Sequence, residues 1–247
     1  MRNYYQAFYD EIASEGNPSI PRGQMVTEVK NTTFIFHPGD VFTRKGGNPT
    51  IGFIEALQFI GGTFDIRNFE RWTPNARLDL FTSQSAYGPR TYNNFAWIVN
   101  ELLEDPMSRR AVLTIARPSD VPETMPCTTS IQFQISSLGL VTSVTMRSND
   151  LVWGLPTDMI QFGAVSQMIA NCLGVRKGYC VVRSGNTHIY DDTKLTDGEE
   201  FSVYGTFSIP ILRSVDSYRT WALSTINYLN RSKDERPMDK IFNIRRK

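Results

Sequence analysis

Residues 127 to 158 constrain the fold more than any other stretch, because their apolar residues alternate as in a β-hairpin. Apolar side chains recur at every second position from 131 to 135 and again from 140 to 146, with a glycine-containing turn between. Such a hairpin returns Arg147 towards the start of the strand that follows Cys127. A thiol and an anion-binding guanidinium close together suggest a phosphorylated substrate attacked by sulfur.

The composition predicts one soluble domain. The chain has 247 residues, enough for a substantial core, and shows neither repeats nor a low-complexity linker, so we predict a single domain over residues 1–247. Lys and Arg number 26 against 25 Asp and Glu, so net charge gives no reason to expect a nucleic-acid or membrane surface. The polar N-terminus and the lack of an apolar run of ~20 residues predict a cytoplasmic protein.

The cysteines and histidines limit the chemistry that is available. Cys127, Cys172 and Cys180 form no even framework and no C-x-x-C pair, which favours a reducing compartment. Cys172 and Cys180 lie in apolar patterns typical of inert buried thiols, whereas Cys127 follows a proline at a loop-to-strand junction. Because positive charge favours the thiolate, we expect Arg147 to activate Cys127. Two histidines are too few for a histidine-rich zinc site, and His188 lacks the flanks of a cysteine protease.

Several spaced blocks of the sequence resemble the signature of the thymidylate synthase superfamily, over roughly residues 50 to 190. In chain order they are Arg109-Arg110, Pro126-Cys127, Arg147-Ser148-Asn149-Asp150, Gly154-Leu155-Pro156 and Gly185-Asn186-Thr187-His188-Ile189-Tyr190. Within that superfamily, Cys127-Thr128 and Asp158 are similar to the deoxycytidylate hydroxymethylases of T-even phages. The resemblance implies an α+β fold with a large, mixed, mostly antiparallel sheet flanked by helices, one sheet face forming a homodimer interface.

The resemblance also implies a folate-dependent transfer of one carbon to dCMP. Cys127 would add to C6 of cytosine, making C5 nucleophilic towards the methylene of 5,10-methylenetetrahydrofolate. Water added to the resulting exocyclic methylene gives 5-hydroxymethyl-dCMP, the precursor of a modified phage DNA. Hydride from the folate would instead give a methyl group, so a dCMP methyltransferase is an alternative, as is CMP or dUMP as substrate. A nucleotide- or RNA-binding protein on an inactive scaffold is the non-enzyme alternative.

Asp158 is the residue from which we predict the base. The synthases carry asparagine there, whose amide donates one bond and accepts one, as uracil requires. Cytosine offers an amino group, and its ring nitrogen gains a proton as negative charge develops, so a carboxylate accepts from both. The alternative is a structural role, because Pro156-Thr157-Asp158 also reads as the first turn of a helix.

Glu55 and Tyr87 complete the predicted catalytic set. Glu55 lies in an apolar helical stretch, where a carboxyl either faces solvent or has a raised pKa that allows proton transfer at neutral pH. In the superfamily a glutamate of this kind organises water and protons near the pyrimidine. Tyr87, followed by a glycine, resembles the tyrosine beside the nucleophile.

The resemblance implies that arginines bind the phosphate of the substrate. Arg147 and Ser148 would bind it from the hairpin, and Arg22 from a mobile loop, although a solvated loop arginine is an equal alternative there. Arg109 and Arg110 precede a predicted strand, on which neighbours point to opposite faces. Their resemblance to a pair that reaches across a two-fold interface predicts an obligate homodimer with shared sites; two surface charges are the alternative.

The sugar and the folate are assigned by the same resemblance. His188 and Tyr190 would hold the sugar hydroxyl. Asn186 replaces the usual aspartate, which leaves ribose against deoxyribose open. Asp150 and Glu55 would face the folate.

Overall fold

The structure is a computed structural model that describes residues 3–44, 49–70, 82–196, 198–232 and 237–246. Its helices are α1 (Tyr4–Glu15), α2 (Thr50–Gly61), α3 (Arg67–Glu70), α4 (Tyr87–Thr91), α5 (Asn94–Glu104), α6 (Gly154–Leu173), α7 (Val215–Arg231) and α8 (Pro237–Ile241). Its strands are β1 (Asn17–Ser19), β2 (Val26–Phe36), β3 (Asp40–Arg44), β4 (Val112–Thr114), β5 (Thr128–Ser136), β6 (Gly139–Met146), β7 (Asn149–Asp150), β8 (Lys177–Tyr190), β9 (Phe201–Thr206) and β10 (Arg245–Arg246).

The large sheet has the order β1-β2-β8-β6-β5-β4, with β7 paired to β8. Strands β6 and β7 run parallel to β8, and the remaining pairs are antiparallel. The predicted mixed, mostly antiparallel sheet flanked by helices is therefore confirmed. A smaller sheet, in which β9 lies between β10 and β3, was not predicted from the sequence.

The predicted hairpin is strands β5 and β6, paired from Thr128 opposite Met146 to Ser136 opposite Gly139. Alternate side chains are buried in the core, as the pattern predicted. Gly139 closes the turn with φ of +115°, and a Cβ there would lie 2.4 Å from the carbonyl oxygen of Arg176. Only glycine fits both the backbone conformation and the close approach of the neighbouring chain.

Helices α2 and α6 pack against each other at a glycine contact. A Cβ on Gly52 would lie 2.9 Å from Ile160 and 3.1 Å from the Cα of Thr157, so the missing side chain lets the two axes approach. Both helices are apolar around most of their surface, as expected for helices buried on several sides. This close packing brings Glu55 of α2 next to the first turns of α6.

The core is continuous through both sheets and the helices that cover them, and includes Tyr5 of α1 and Phe242 after α8. Strand β8 continues as far as Tyr190, and the strand predicted after Arg110 is β4, which covers only Val112–Thr114. Among the described residues, no helix combines the length and apolar character needed to span a bilayer.

Candidate active site

The end of the hairpin places Arg147 beside Cys127. The Arg147 amide donates to the Cys127 carbonyl at 2.8 Å, which makes the two residues neighbours across the strands. The guanidinium donates from Nε to the Pro126 carbonyl at 3.1 Å and from Nη2 to the Met125 carbonyl at 3.0 Å. The loop that ends in the thiol therefore also holds the cation in place.

A buried ion pair also holds this loop in place. Arg90 and Asp120 have side chains only 4% and 5% exposed, with Nη2 and Oδ1 2.6 Å apart. The Arg90 guanidinium also donates to the carbonyls of Ile115 and Thr124, at 2.9 and 3.0 Å. Hydrogen bonds from Arg90 lower the pKa of Asp120 to about 2, so the pair is ionised. Its geometry fixes the path of the chain towards Cys127.

The Cys127 thiol is more basic than the sequence predicted. Cys127 is exposed to solvent, yet the surrounding protein raises its pKa by desolvation. Arg147 and Arg22 oppose this rise, whereas Asp158 and Asp150 add to it. Arg147 therefore favours the thiolate, as expected, but desolvation outweighs its effect, so the thiol is protonated at neutral pH.

The other two cysteines are in the positions that the apolar patterns predicted. Cys172 lies near the end of α6 and Cys180 is buried in β8. Burial raises their pKa to about 11 and about 12, respectively. Both thiols are therefore protonated at neutral pH and are poor nucleophiles.

Tyr87 lies at the start of α4, close to Cys127 and Asp158. Burial raises its pKa well above the ordinary value, and the charges of Asp158 and Cys127 raise it further. Thr128, the residue after the nucleophile, donates its hydroxyl hydrogen to the Tyr87 oxygen at 2.9 Å. The hydroxyl hydrogen of Tyr87 therefore remains available for donation to another group.

Glu55 and Asp158 are joined by Gln161, a residue that the sequence analysis missed. The Gln161 Nε2 donates to Glu55 Oε2 at 3.0 Å and to Asp158 Oδ1 at 3.4 Å. Burial, and then the charge of Asp158, raises the pKa of Glu55 well above its ordinary value. A raised pKa was one of the two alternatives that the sequence predicted for Glu55, the other being a solvent-facing carboxyl. Gln161 was recognisable in principle, because it follows Asp158 by three residues on one helical face.

Asp158 is a protonated acid at neutral pH. Desolvation, followed by the charge of Asp150, raises its pKa to about 8. Helix α6 begins at Gly154, so Asp158 lies beyond the first turn, and its described partner is a side chain. The helix-capping alternative is therefore wrong. A neutral carboxyl offers one donor and one acceptor, in contrast to the carboxylate that the sequence analysis assumed.

Asp150 instead holds the turn that leads into α6. Its Oδ1 accepts from the amides of Val152 and Trp153 at 2.8 and 3.4 Å, just before the helix begins. Burial raises the pKa of Asp150 to about 6, although these backbone hydrogen bonds lower it. Asp150 therefore fixes the beginning of the helix that carries Asp158, and its role towards folate stays a prediction.

His188 and Tyr190 lie at the end of β8 with their rings in edge contact, the centroids 4.8 Å apart. Burial lowers the pKa of His188 to about 4, so the imidazole is neutral. The Ser148 hydroxyl lies 3.5 Å from His188 Nδ1, and Arg22 bonds to the Tyr190 hydroxyl. Arg22 has a left-handed backbone with φ of 51°, in a short 3-10 turn.

Arg109 and Arg110 lie apart from the other predicted site residues. They lie in the loop before β4, where Arg110 is 73% exposed and pairs with Glu101 at 2.8 Å. Gln132 donates to the Arg109 carbonyl at 2.9 Å. In the part of the chain that the structure describes, neither arginine bonds to the remaining predicted site residues.

Most of the site residues lie in the part of the chain that matches a known protein family. The sequence profile described as thymidylate synthase matches residues 63–210, more than half of the chain. The chain belongs to the thymidylate synthase family. The match includes Tyr87, Cys127 and the residues from Arg147 to Tyr190, whereas Arg22 and Glu55 lie before it.

Two phage proteins named deoxyuridylate hydroxymethyltransferase are similar to this family member. The protein of Pseudomonas phage M6 is 29% identical over 178 residues, covering 65% of this chain and 51% of the relative. The protein of Bacillus phage SP01 is 26% identical over 232 residues, covering 81% of this chain and 60% of the relative. The chain thus spans between half and two thirds of the length of these relatives.

The raised pKa of Asp158 predicts a pH-dependent loss of stability. The group is protonated in the folded protein up to about pH 8, whereas in the unfolded chain it ionises near its ordinary pKa of ~3.9. Its contribution to the free energy of unfolding is therefore lost as pH rises between these values. Relative to Asp158→Asn, the wild type should lose on the order of 2 kcal/mol between pH 5 and pH 7, measured by urea unfolding.

The control is Asp216→Asn, at a carboxyl in the first turn of α7. That variant should keep the wild-type pH dependence. If Asp158→Asn also keeps it, the Asp158 carboxyl is not protonated in the folded protein.

Proposed function

We propose that this chain is a deoxycytidylate 5-hydroxymethyltransferase that forms a covalent bond between Cys127 and C6 of dCMP. The observation that carries the proposal is Asp158, a buried acid that is neutral at neutral pH and lies close enough to Cys127 to affect the pKa of the thiol. A thymidylate synthase carries asparagine there, and the exchange changes which groups of a pyrimidine can be bound.

The neutral state of Asp158 suits cytosine before and after sulfur adds. In the first state its carbonyl accepts from the 4-amino group and its hydroxyl donates to N3. As the Cys127 sulfur bonds to C6, the ring electrons move towards N3, which takes the Asp158 proton. The resulting carboxylate then accepts from both N–H groups, and C5 is left as an enamine-like nucleophile.

Deprotonation of Cys127 depends on the groups around it. Because desolvation raises the pKa of Cys127, the thiol gives up its proton only as the sulfur bonds to C6; the proton passes to solvent, to which Cys127 is exposed, and Arg147 and Arg22 favour the thiolate. Tyr87, whose own pKa is raised, cannot be an anion at neutral pH and therefore acts as a hydrogen-bond donor. Glu55 is the nearby carboxyl suited to exchange protons with water, through its contact with Gln161.

Methylenetetrahydrofolate, when bound, supplies the one-carbon unit. The residues present fit a flat ring that bears N–H groups. Trp153 is 56% exposed, with the Arg44 guanidinium 5.4 Å from its ring centroid, and Asp150 lies three residues before it. Once the exocyclic methylene has formed on C5, Glu55, as a protonated carboxyl, can position the water that adds there, and the proton that the water loses passes to the departing Cys127 sulfur. Expulsion of the Cys127 sulfur from C6 then restores the pyrimidine ring.

A second candidate is the same reaction on dUMP. It is favoured by the names of the two phage relatives and by the neutral state of Asp158. A neutral carboxyl can donate to the O4 carbonyl of uracil and accept from its N3–H, as an asparagine amide does. The two candidates differ in whether N3 must receive a proton.

The central prediction concerns Cys127. Wild-type protein with methylenetetrahydrofolate should release tritium from C5 of labelled dCMP, form 5-hydroxymethyl-dCMP, and produce no dihydrofolate absorbance. Cys127→Ala should reduce tritium release at least ~10³-fold, because the covalent route is lost. Scintillation counting and nucleotide chromatography measure the two products.

Cys172→Ala is the matched control, since it removes a thiol outside the site and should retain activity. Dihydrofolate formed in proportion to product would make the protein a methyltransferase. Absence of tritium release from either pyrimidine nucleotide in the wild type would favour the inactive, nucleotide-binding alternative.

Asp158→Asn tests the choice of base. An amide can bind cytosine but cannot give N3 a proton, so kcat/KM for dCMP should fall by about 10²–10³-fold. For dUMP the value should fall little or rise, because donor and acceptor are both retained. Steady-state tritium release from each nucleotide gives the ratio. A wild type that already prefers dUMP would overturn the dCMP assignment in favour of the second candidate.

We also propose that two chains pair through the open face of the large sheet and share their phosphate sites. Ile35, on the opposite side of β2 from Phe34 and Phe36, is 55% exposed, and Arg109 and Arg110 are exposed near this sheet. The five donors of a guanidinium suit a phosphate, and a partner's arginines would supplement Arg147.

Mixed dimers test this sharing. Cys127→Ala and the double variant Arg109→Ala/Arg110→Ala should each be inactive, but after unfolding and refolding together they should recover about a quarter of wild-type activity. One site of each mixed dimer then has an intact Cys127 and the partner's intact arginines. Cys127→Ala mixed with Asp158→Asn is the control and should recover nothing. Failure of the first mixture would mean that the arginines do not act across an interface.

A further inference from the structure

Glu28, a residue with no predicted role, is connected to His188 through Asn186. Strands β2 and β8 are paired with Glu28 opposite His188. The Asn186 Nδ2 donates to Glu28 Oε2 at 2.6 Å, and the Asn186 Oδ1 lies 3.1 Å from His188 Nδ1. A carboxylate, an amide and an imidazole thus form a continuous hydrogen-bonded chain.

The direction of each hydrogen bond in this chain follows from the carboxylate. An ionised carboxyl only accepts, so the Asn186 amide must turn its NH₂ group to Glu28 and its oxygen to His188. That oxygen also only accepts, so His188 Nδ1 must carry the proton. In a neutral imidazole the other nitrogen, Nε2, is then an acceptor.

We propose that Glu28 is a positioning residue that fixes the tautomer of His188 through Asn186. It presents Nε2 as an acceptor for a hydroxyl group of the substrate sugar. This deepens the proposed function, on which the identity of that hydroxyl rests, but the tautomer itself does not depend on turnover. Asn186 alone cannot impose it, because an amide that turns over offers NH₂ in place of oxygen.

The charges around the chain agree with these assignments. The hydrogen bond from Asn186 lowers the pKa of Glu28, so the carboxyl is ionised at neutral pH. Burial, with Arg22 and Arg147 nearby, lowers the pKa of His188 to about 4, although Glu28 opposes this. The Ser148 hydroxyl, 3.5 Å from Nδ1, can accept from the same proton. Among the described residues, no hydrogen bond to Nε2 competes with a ligand.

Nitrogen NMR of the histidines tests the proposal in the ligand-free protein. The chain has two histidines, so ¹⁵N-histidine labelling with a His37→Gln variant assigns the His188 ring. The wild type should show a protonated Nδ1 and a bare Nε2. Glu28→Leu, at a partly exposed position, should give a mixture of tautomers, because the amide is free to turn over. A wild-type ring protonated at Nε2, or an unchanged tautomer in Glu28→Leu, would overturn the proposal.

A rescue variant separates positioning from general damage to the structure. In Glu28→Leu/Asn186→Asp the new carboxyl at 186 accepts only, so it should restore the proton to Nδ1 without Glu28. The single variant should raise KM for dCMP about tenfold with a smaller effect on kcat, which the double variant reverses. If tautomers respond as expected while the wild type has no activity, the proposed function fails and the role of Glu28 stands. A double variant that remains a mixture would contradict that role.

Discussion

The hydrogen bond between the Arg147 amide and the Cys127 carbonyl is the contact on which the arrangement of the site depends. It closes the open end of the β5–β6 hairpin, whose register is set by alternating buried side chains. A slip of one residue would turn Arg147 to the other sheet face, away from the sulfur. The guanidinium then binds the carbonyls before Cys127, so strand pairing and loop position are fixed together.

Around this sulfur lie carboxyl groups that form no ion pair within the described part of the chain. Glu55, Asp150 and Asp158 all have raised pKa values, each mainly because of burial. Burying charged acids so close together would be costly, and protonation removes much of that cost. The close packing of α2 on α6 at Gly52 maintains the cluster. The same burial that reduces stability at high pH supplies, in the proposed reaction, the acid that protonates the pyrimidine.

The elements with strong periodicity were predictable from the sequence, and the site residues that depend on strand pairing were not. Alternation predicted the hairpin, and with it the contact between Cys127 and Arg147. The role of Glu28 requires the register of β2 on β8, which joins residues 160 positions apart along the chain and leaves no local pattern. Protonation states were equally inaccessible, because the pKa values of Cys127 and Asp158 depend on charges brought together by several elements.

Glu28 and Asp158 show how one functional group can serve opposite purposes within a single site. Glu28 lies partly exposed and accepts a short hydrogen bond from Asn186, so its pKa is lowered and it only accepts. Asp158 is buried, receives one long hydrogen bond from Gln161, and stays protonated. In the proposed reaction the base needs a proton that can move, whereas the sugar needs an acceptor that cannot change. Differences in solvent exposure and in the number and length of the hydrogen bonds received thus give two carboxyl groups opposite protonation states.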